Sequence, residues 1–184
     1  MQLFWDKLNA SYDKVNFESG VPELDEYLKT QASQDMKRSL SSIFVLGDES
    51  GRIVGYYAIS QYSLTVEELP EQASKKLPPK RKVACTLLGR LAVDRRYQGQ
   101  RYGEKLLFHA LNKALAISKE IASFAVIVDA KNEEAKRFYQ KYDFLSLKDM
   151  PLRLYIILAS SDMGMCFFIS LIISFELLPN SHKS

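Results

Sequence analysis

An α/β (α+β) fold, with a central mixed, mostly antiparallel sheet flanked by helices, is predicted by three features of the chain. Two apolar runs, residues 43–46 and 53–60, flank the turn residues GDESGR, which is the pattern of an antiparallel hairpin. A strand–helix–strand–helix succession then extends from Thr86 to Tyr142. Within it, residues 124–128 (FAVIV) are apolar throughout, as in a strand covered on both faces. With 184 residues, 47% of them apolar, the chain has the length for one domain with a sizeable core.

The elements follow in order. After a short opening segment, Val21, Leu24, Tyr27 and Leu28 form a one-sided helical stripe with Pro22 near its start, and a second, more polar helix is expected over residues 31–40. The hairpin comes next. Residues 69–82, rich in Pro and Lys, read as a surface connection. Residues 86–93 are a strand, and residues 103–118 a helix whose Leu106, Leu107, Ala110, Leu111 and Ala114 share one face. A helix over 131–142 and short strands at 145–147 and 152–158 complete a domain spanning residues 1–158. The tail, residues 159–184, contains 13 uncharged residues between Asp162 and Glu176, fewer than the roughly 18 to 20 that span a membrane. It reads as a buried element, a dimer contact, or an altered, partly disordered end.

Charge excludes little by itself: 25 Lys and Arg against 22 Asp and Glu leave a net charge of +3. Its distribution says more, because Lys75, Lys76, Lys80, Arg81 and Lys82 fall close together without an acid between them. Cys85 and Cys166 lack metal-ligand spacing, and His109 and His182 are far apart, so no metal is expected. The N-terminus carries Asp6 and Lys7 before any long apolar run, which excludes a secretory signal and favours the cytoplasm.

Two segments carry chemistry. Residues 94–103 (DRRYQGQRYG) join a buried strand to a helix, so the backbone amides and the positive helix end there can hold an anion; a plain tight turn is the alternative. Neither GxxxxGK[ST] nor GxGxxG is present. The second segment is residues 129–144 (DAKNEEAKRFYQKYDF). Together they resemble the GNAT superfamily of acetyl-CoA-dependent N-acetyltransferases. Its [Q/R]xxGx[G/A] loop is matched by Arg96, Gly99 and neighbours with Arg101 in the last small position, and its NxxAxxFYxxxGF helix by Asn132, Ala135, Phe138, Tyr139 and Phe144 with Asp143 in place of glycine. The stretches LLGRLAVDRRYQGQ, VDAKNEEAKRFYQKYDF and PLRLYI further resemble the GNAT toxins of bacterial toxin–antitoxin pairs.

That resemblance implies acetylation of the α-amino group of aminoacyl-tRNA, a block of translation, a ribbon-helix-helix antitoxin as partner, and a homodimer. It assigns acetyl-CoA to the amides and side chains of Arg96, Gln98, Gly99, Gln100, Arg101, Tyr102 and Gly103, with the pantetheine arm along Leu91, Ala92 and Val93 and further contacts from Asn132 and Phe138. Tyr139 is the expected proton donor to the departing thiolate, its competing role being that of a packed aromatic. Asn132 is equally suited to capping its helix. Glu67, Glu68, Glu133 and Glu134 read as solvated charges, and no general base is assigned. Contacts to tRNA are expected from Lys75, Lys76, Lys80, Arg81 and Lys82, from Arg95, and from Arg90, a cation flanked by apolar residues that needs a partner. The alternatives are a small amine, a peptide or a protein N-terminus as acceptor, or an inactive relic that binds only its antitoxin.

Overall fold

The computed structural model describes residues 2–158, so the expectations for the tail lie outside the described residues. Seven strands form one sheet in the order β1-β2-β3-β4-β5-β7-β6: β1 (Leu3–Lys7), β2 (Ser42–Asp48), β3 (Ile53–Thr65), β4 (Lys82–Val93), β5 (Ala125–Asp129), β6 (Leu145–Leu147) and β7 (Met150–Ile157). Every neighbouring pair is antiparallel except β4 and β5, so the mixed, mostly antiparallel sheet of the sequence reading is present.

Several boundaries differ from expectation. β1 is a full edge strand where only an opening segment was read; its alternation of Leu3, Trp5 and Lys7 is short and half polar. The helices expected at 21–28 and 31–40 are one continuous helical segment, α1 (Pro22–Glu26) passing through a π turn (Tyr27–Gln31) into α2 (Ala32–Lys37). The Pro- and Lys-rich connection carries a four-residue helix, α3 (Glu71–Ser74). Its cations are exposed as expected, but Leu69 and Ala73 are buried against Leu64, Cys85 and Ile127, so the loop covers one end of a sheet face.

The longest helix, α4 (Tyr102–Glu120), lies across the other face. Leu106, Leu107, Ala110, Leu111 and Ala114 are buried there with Tyr57, Leu88 and Val128, as their spacing predicts. Burial of the leucines contributes about 1.5–3 kcal/mol each relative to exposure. The last helix, α5 (Glu133–Gln140), packs beside α4 through Phe138, Tyr139, Tyr142 and Phe144.

One irregularity positions the site. β4 pairs with β3 along its length, with a register shift between Ala58 and Ile59 that leaves Gly89 without a partner of its own. Its parallel pairing with β5 covers only Thr86, Leu87 and Leu88. Beyond Leu88 the two strands part, and the backbone of Leu91, Ala92 and Val93 has a strand neighbour on one side only among the described residues.

Candidate active site

The opening between β4 and β5 is closed at its end by the turn from β4 into α4. Asp94, 1% exposed, organises this turn. Its carboxylate accepts from the amides of Arg96 (3.0 Å) and Glu18 (3.2 Å) and from Arg96 Nε and Nη2 (2.7 and 2.8 Å). Burial alone would raise its pKa, but these bonds hold the carboxyl below its usual value. Gln98 donates from its side-chain amide to the carbonyls of Ser19 and Val93, at 2.8 and 2.9 Å. The side chains of Arg96 and Gln98 are therefore committed to shaping the loop.

The chain then enters two left-handed residues, Gly99 (φ 75°) and Arg101 (φ 62°), the latter capping α4. Among the described residues, nothing accepts from the amides of Gly99, Gln100, Tyr102, Gly103 and Glu104. Several donors thus point out of one turn at the positive end of a 19-residue helix, which is an anion site in electrostatic terms. A Cβ at Gly99 would meet no protein atom, so the space beside that residue is open.

Arg101 is engaged by an acid of the same turn. Its guanidinium pairs with Glu104, Nη2 to Oε2 at 2.6 Å, and that pair has a second member in Lys141 Nζ at 3.2 Å. Glu104 is 8% exposed, a buried acid that the sequence reading did not single out. Burial opposes its charge, yet the bonds from Arg101 and Lys141 hold its pKa down.

α5 brings its motif residues against this turn. Phe138 lies over Gly103, where a Cβ would stand 3.8 Å from the ring. Asn132 caps the helix, its Oδ1 accepting from the Ala135 amide at 2.8 Å, which leaves its exposed NH₂ for a ligand. Tyr139 is 8% exposed, with its ring against Phe138 and Phe144 at centroid distances of 5.2 and 5.5 Å. Burial pushes its phenol up to about 12, so it carries its proton at any physiological pH.

The cations expected to meet nucleic acid do not form one patch. Lys75, Lys76, Lys80, Arg81 and Lys82 are exposed at the start of β4, whereas Arg90 lies ~26 Å along the strand from Lys82 by strand rise and Arg95 just past its far end, ~35–40 Å away. Arg90 has the partner its position demands: its guanidinium stacks 3.5 Å over the Tyr27 ring, whose hydroxyl donates to Asp35 at 2.9 Å. Arg95 pairs with Glu18 at 2.8 Å. On the face opposite α4, Arg153 makes a two-pronged bond to Asp129 (2.5 and 3.0 Å) and donates to Tyr62 Oη at 2.8 Å. Lys131 Nζ meets Glu23, joining the start of α5 to α1.

The acids read as solvated are partly structural. Glu68 accepts from the amide and hydroxyl of Thr65, Glu67 accepts from the Lys80 amide, and Glu133 pairs with Lys136, whereas Glu134 is exposed. Asp94 was missed although its place directly after an apolar strand is that of a capping residue. Among the described residues no group of His, Cys, Asp and Glu could hold a metal, and no helix is long and apolar enough to cross a membrane.

The chain resembles known proteins over most of its length. The profile of the Acetyltransferase (GNAT) family matches residues 3–144. A tRNA-acetylating toxin of Mycobacterium tuberculosis (strain ATCC 25618 / H37Rv) is 33% identical over 152 residues, 83% of this chain and 90% of that protein. Among solved structures, a Tyr-to-Phe mutant of KacT superimposes with a TM-score of 0.80 at 29% identity, covering 86% of this chain and 96% of its own. AtaT complexed with acetyl-methionyl-tRNAfMet does so with a TM-score of 0.81 at 26% identity, covering 94% and 99%. The family profile spans the one-sided β4, the amide-lined turn and the helix bearing Tyr139, so this chain is a member of the GNAT acetyltransferase family.

Proposed function

We propose that the protein is a toxin that transfers the acetyl group of acetyl-CoA to the α-amino group of an aminoacyl-tRNA in the cytoplasm and so blocks translation. The observation that carries the donor side of this reading is the continuity of the open edge of β4 at Leu91, Ala92 and Val93 with the amides of the turn that follows, from which no described residue accepts. A diphosphate fits those amides, and an extended amide-bearing arm fits the strand edge. The likeness to a tRNA-acetylating toxin, and to AtaT in its complex with acetyl-methionyl-tRNAfMet, supports the acceptor.

Bound acetyl-CoA supplies a thioester carbonyl. The amides of Gly99, Gln100, Tyr102 and Gly103 would hold its diphosphate beside the ring of Phe138, and the exposed NH₂ of Asn132 would donate to the same donor. Fixing the donor in this way removes much of the entropic barrier to reaction. Tyr139 holds the proton that the leaving thiolate, with an unperturbed pKa of about 8.5, takes up. Attack needs a neutral amine, and an α-amino group that titrates near 8 is partly neutral without help from a protein base. For the tRNA backbone, Arg90 keeps edge N–H donors outside its stack on Tyr27, and the exposed cations at the start of β4 supply distant phosphate contacts. A ribbon-helix-helix antitoxin as partner and a homodimeric state complete the reading.

Incubation with labelled acetyl-CoA and matched charged and uncharged tRNA tests the proposal. Label should enter only charged tRNA and should leave with the amino acid on mild alkaline deacylation. Equal label on both, or faster labelling of free amines or peptides, would overturn it.

A further inference from the structure

The position that is small in the loop motif is occupied here by Arg101, and the structure gives that arginine a specific engagement. Its guanidinium meets Glu104, which in turn meets Lys141, the residue that closes α5. Arg101 belongs to the anion-binding turn and Lys141 follows Tyr139 by two positions. One nearly buried carboxylate therefore ties the two walls of the cleft together, the phosphate turn and the helix that carries the proton donor. The aromatic packing beneath it runs the same way. Tyr142 lies edge-on to both Phe108 of α4 and Phe138 of α5, at centroid distances of 5.3 and 5.4 Å.

We infer that Glu104 is a positioning residue: with Arg101 and Lys141 it forms a latch that holds the phosphate turn and α5 at the spacing acetyl-CoA requires. The inference rests on the reading of that turn as the acetyl-CoA site. Simple electrostatics makes the opposite demand. A carboxylate in the first turn of the helix, beside a site for an anion, opposes binding through its own charge. Neutralising it should then tighten the complex. If Glu104 acts through geometry instead, neutralising it loosens both arms of the latch and weakens the complex, so the two roles differ in sign.

The experiment measures the dissociation constant of acetyl-CoA by calorimetry for the full-length protein and for Glu104→Gln, Lys141→Met and Lys141→Arg, with the melting temperature of each recorded to show that it is folded. The latch requires Glu104→Gln to bind roughly five- to tenfold more weakly, a span typical of residues that couple two elements. Lys141→Met, which cuts only the α5 arm, should change affinity in the same direction by less, and Lys141→Arg should restore it. kcat at saturating acetyl-CoA should fall in Glu104→Gln as well, because the turn and Tyr139 are no longer in register. Binding by Glu104→Gln as tight as, or tighter than, the unmodified protein overturns the latch and leaves the acetyl-CoA site standing. Failure of the unmodified protein to bind acetyl-CoA overturns the site and the latch with it.

Discussion

Arg101 and Gly99 are both left-handed, and the consequences of replacing them differ. Arg101→Gly removes a side chain paired with Glu104 and puts glycine where a positive φ suits it, so acetyl-CoA affinity should fall by less than about fivefold on losing one arm of a charged pair. Gly99→Val places a branched side chain at φ 75° and in the open space beside the amides, and should abolish binding. Calorimetry on the two variants checks the order, and the reverse ranking would mean that the anion sits elsewhere. Tyr139 has a pH signature. Because its pKa is raised to about 12, the acid form persists, so kcat/KM should rise through the amine titration near pH 8 and stay level to pH 10. A fall between pH 8 and 10 would assign the proton to another group. The motif residues of this site were legible because their types are dictated by backbone approach and aromatic packing. The pairing of Arg101 with Glu104 was not, because a buried acid one helical turn away reads in sequence like any acid of a first helical turn.

At the level of elements, the clearest sequence signals came from pieces buried on one face or on both, such as α4 and β5, whose apolar spacing survives in the structure. Edges were harder to read. β1 is short, half polar and paired on one side, and β3 runs on to Thr65 through the alternating residues Gln61, Tyr62, Ser63 and Leu64 beyond the apolar run that announced it. The π turn between α1 and α2 left two stripes that looked like separate helices, because one extra residue per turn shifts the phase of the pattern. α5 offers a separable test of its two predicted roles. Asn132→Ala should lower stability by about 1 kcal/mol through loss of the cap and also weaken acetyl-CoA binding. Asn132→Asp should keep the cap while placing a carboxylate where the NH₂ stood, so urea midpoint and ligand affinity should separate in that variant. If both variants bind acetyl-CoA as the unmodified protein does, Asn132 only caps.

For the molecule as a whole, the sheet joins two distant regions of positive charge through one strand, β4, and its helix-covered face contains a titrating group that links stability to pH. His109 stacks on Trp5 at 3.9 Å and meets the Tyr57 hydroxyl at 2.8 Å. Burial, assisted by Lys113, lowers its pKa to about 4. Between about 4 and 6.5 the unfolded chain binds a proton that the native state refuses, so stability should fall as pH drops through that window and be unaffected by this group above it. Urea midpoints at pH 7 and 5 should therefore diverge less in His109→Phe than in the unmodified protein, and equal pH dependence would show that the imidazole is charged in the fold. The mixed sheet was legible from element order, whereas its strand order and the separation of the cations were not, since the Lys-rich loop and Arg95 are close in sequence yet lie beyond opposite ends of a 12-residue strand.

In the proposed mechanism the amide-lined turn binds the donor while Tyr139 delivers a proton. Its most direct test is the single-turnover rate of Tyr139→Phe on charged tRNA with acetyl-CoA bound at saturation, measured beside its acetyl-CoA dissociation constant. The rate should fall on the order of 10²- to 10⁴-fold, the range of a lost general acid, with the dissociation constant unchanged. An unchanged rate would remove Tyr139 from the chemistry, and a lost rate with lost binding would reduce it to a packing residue.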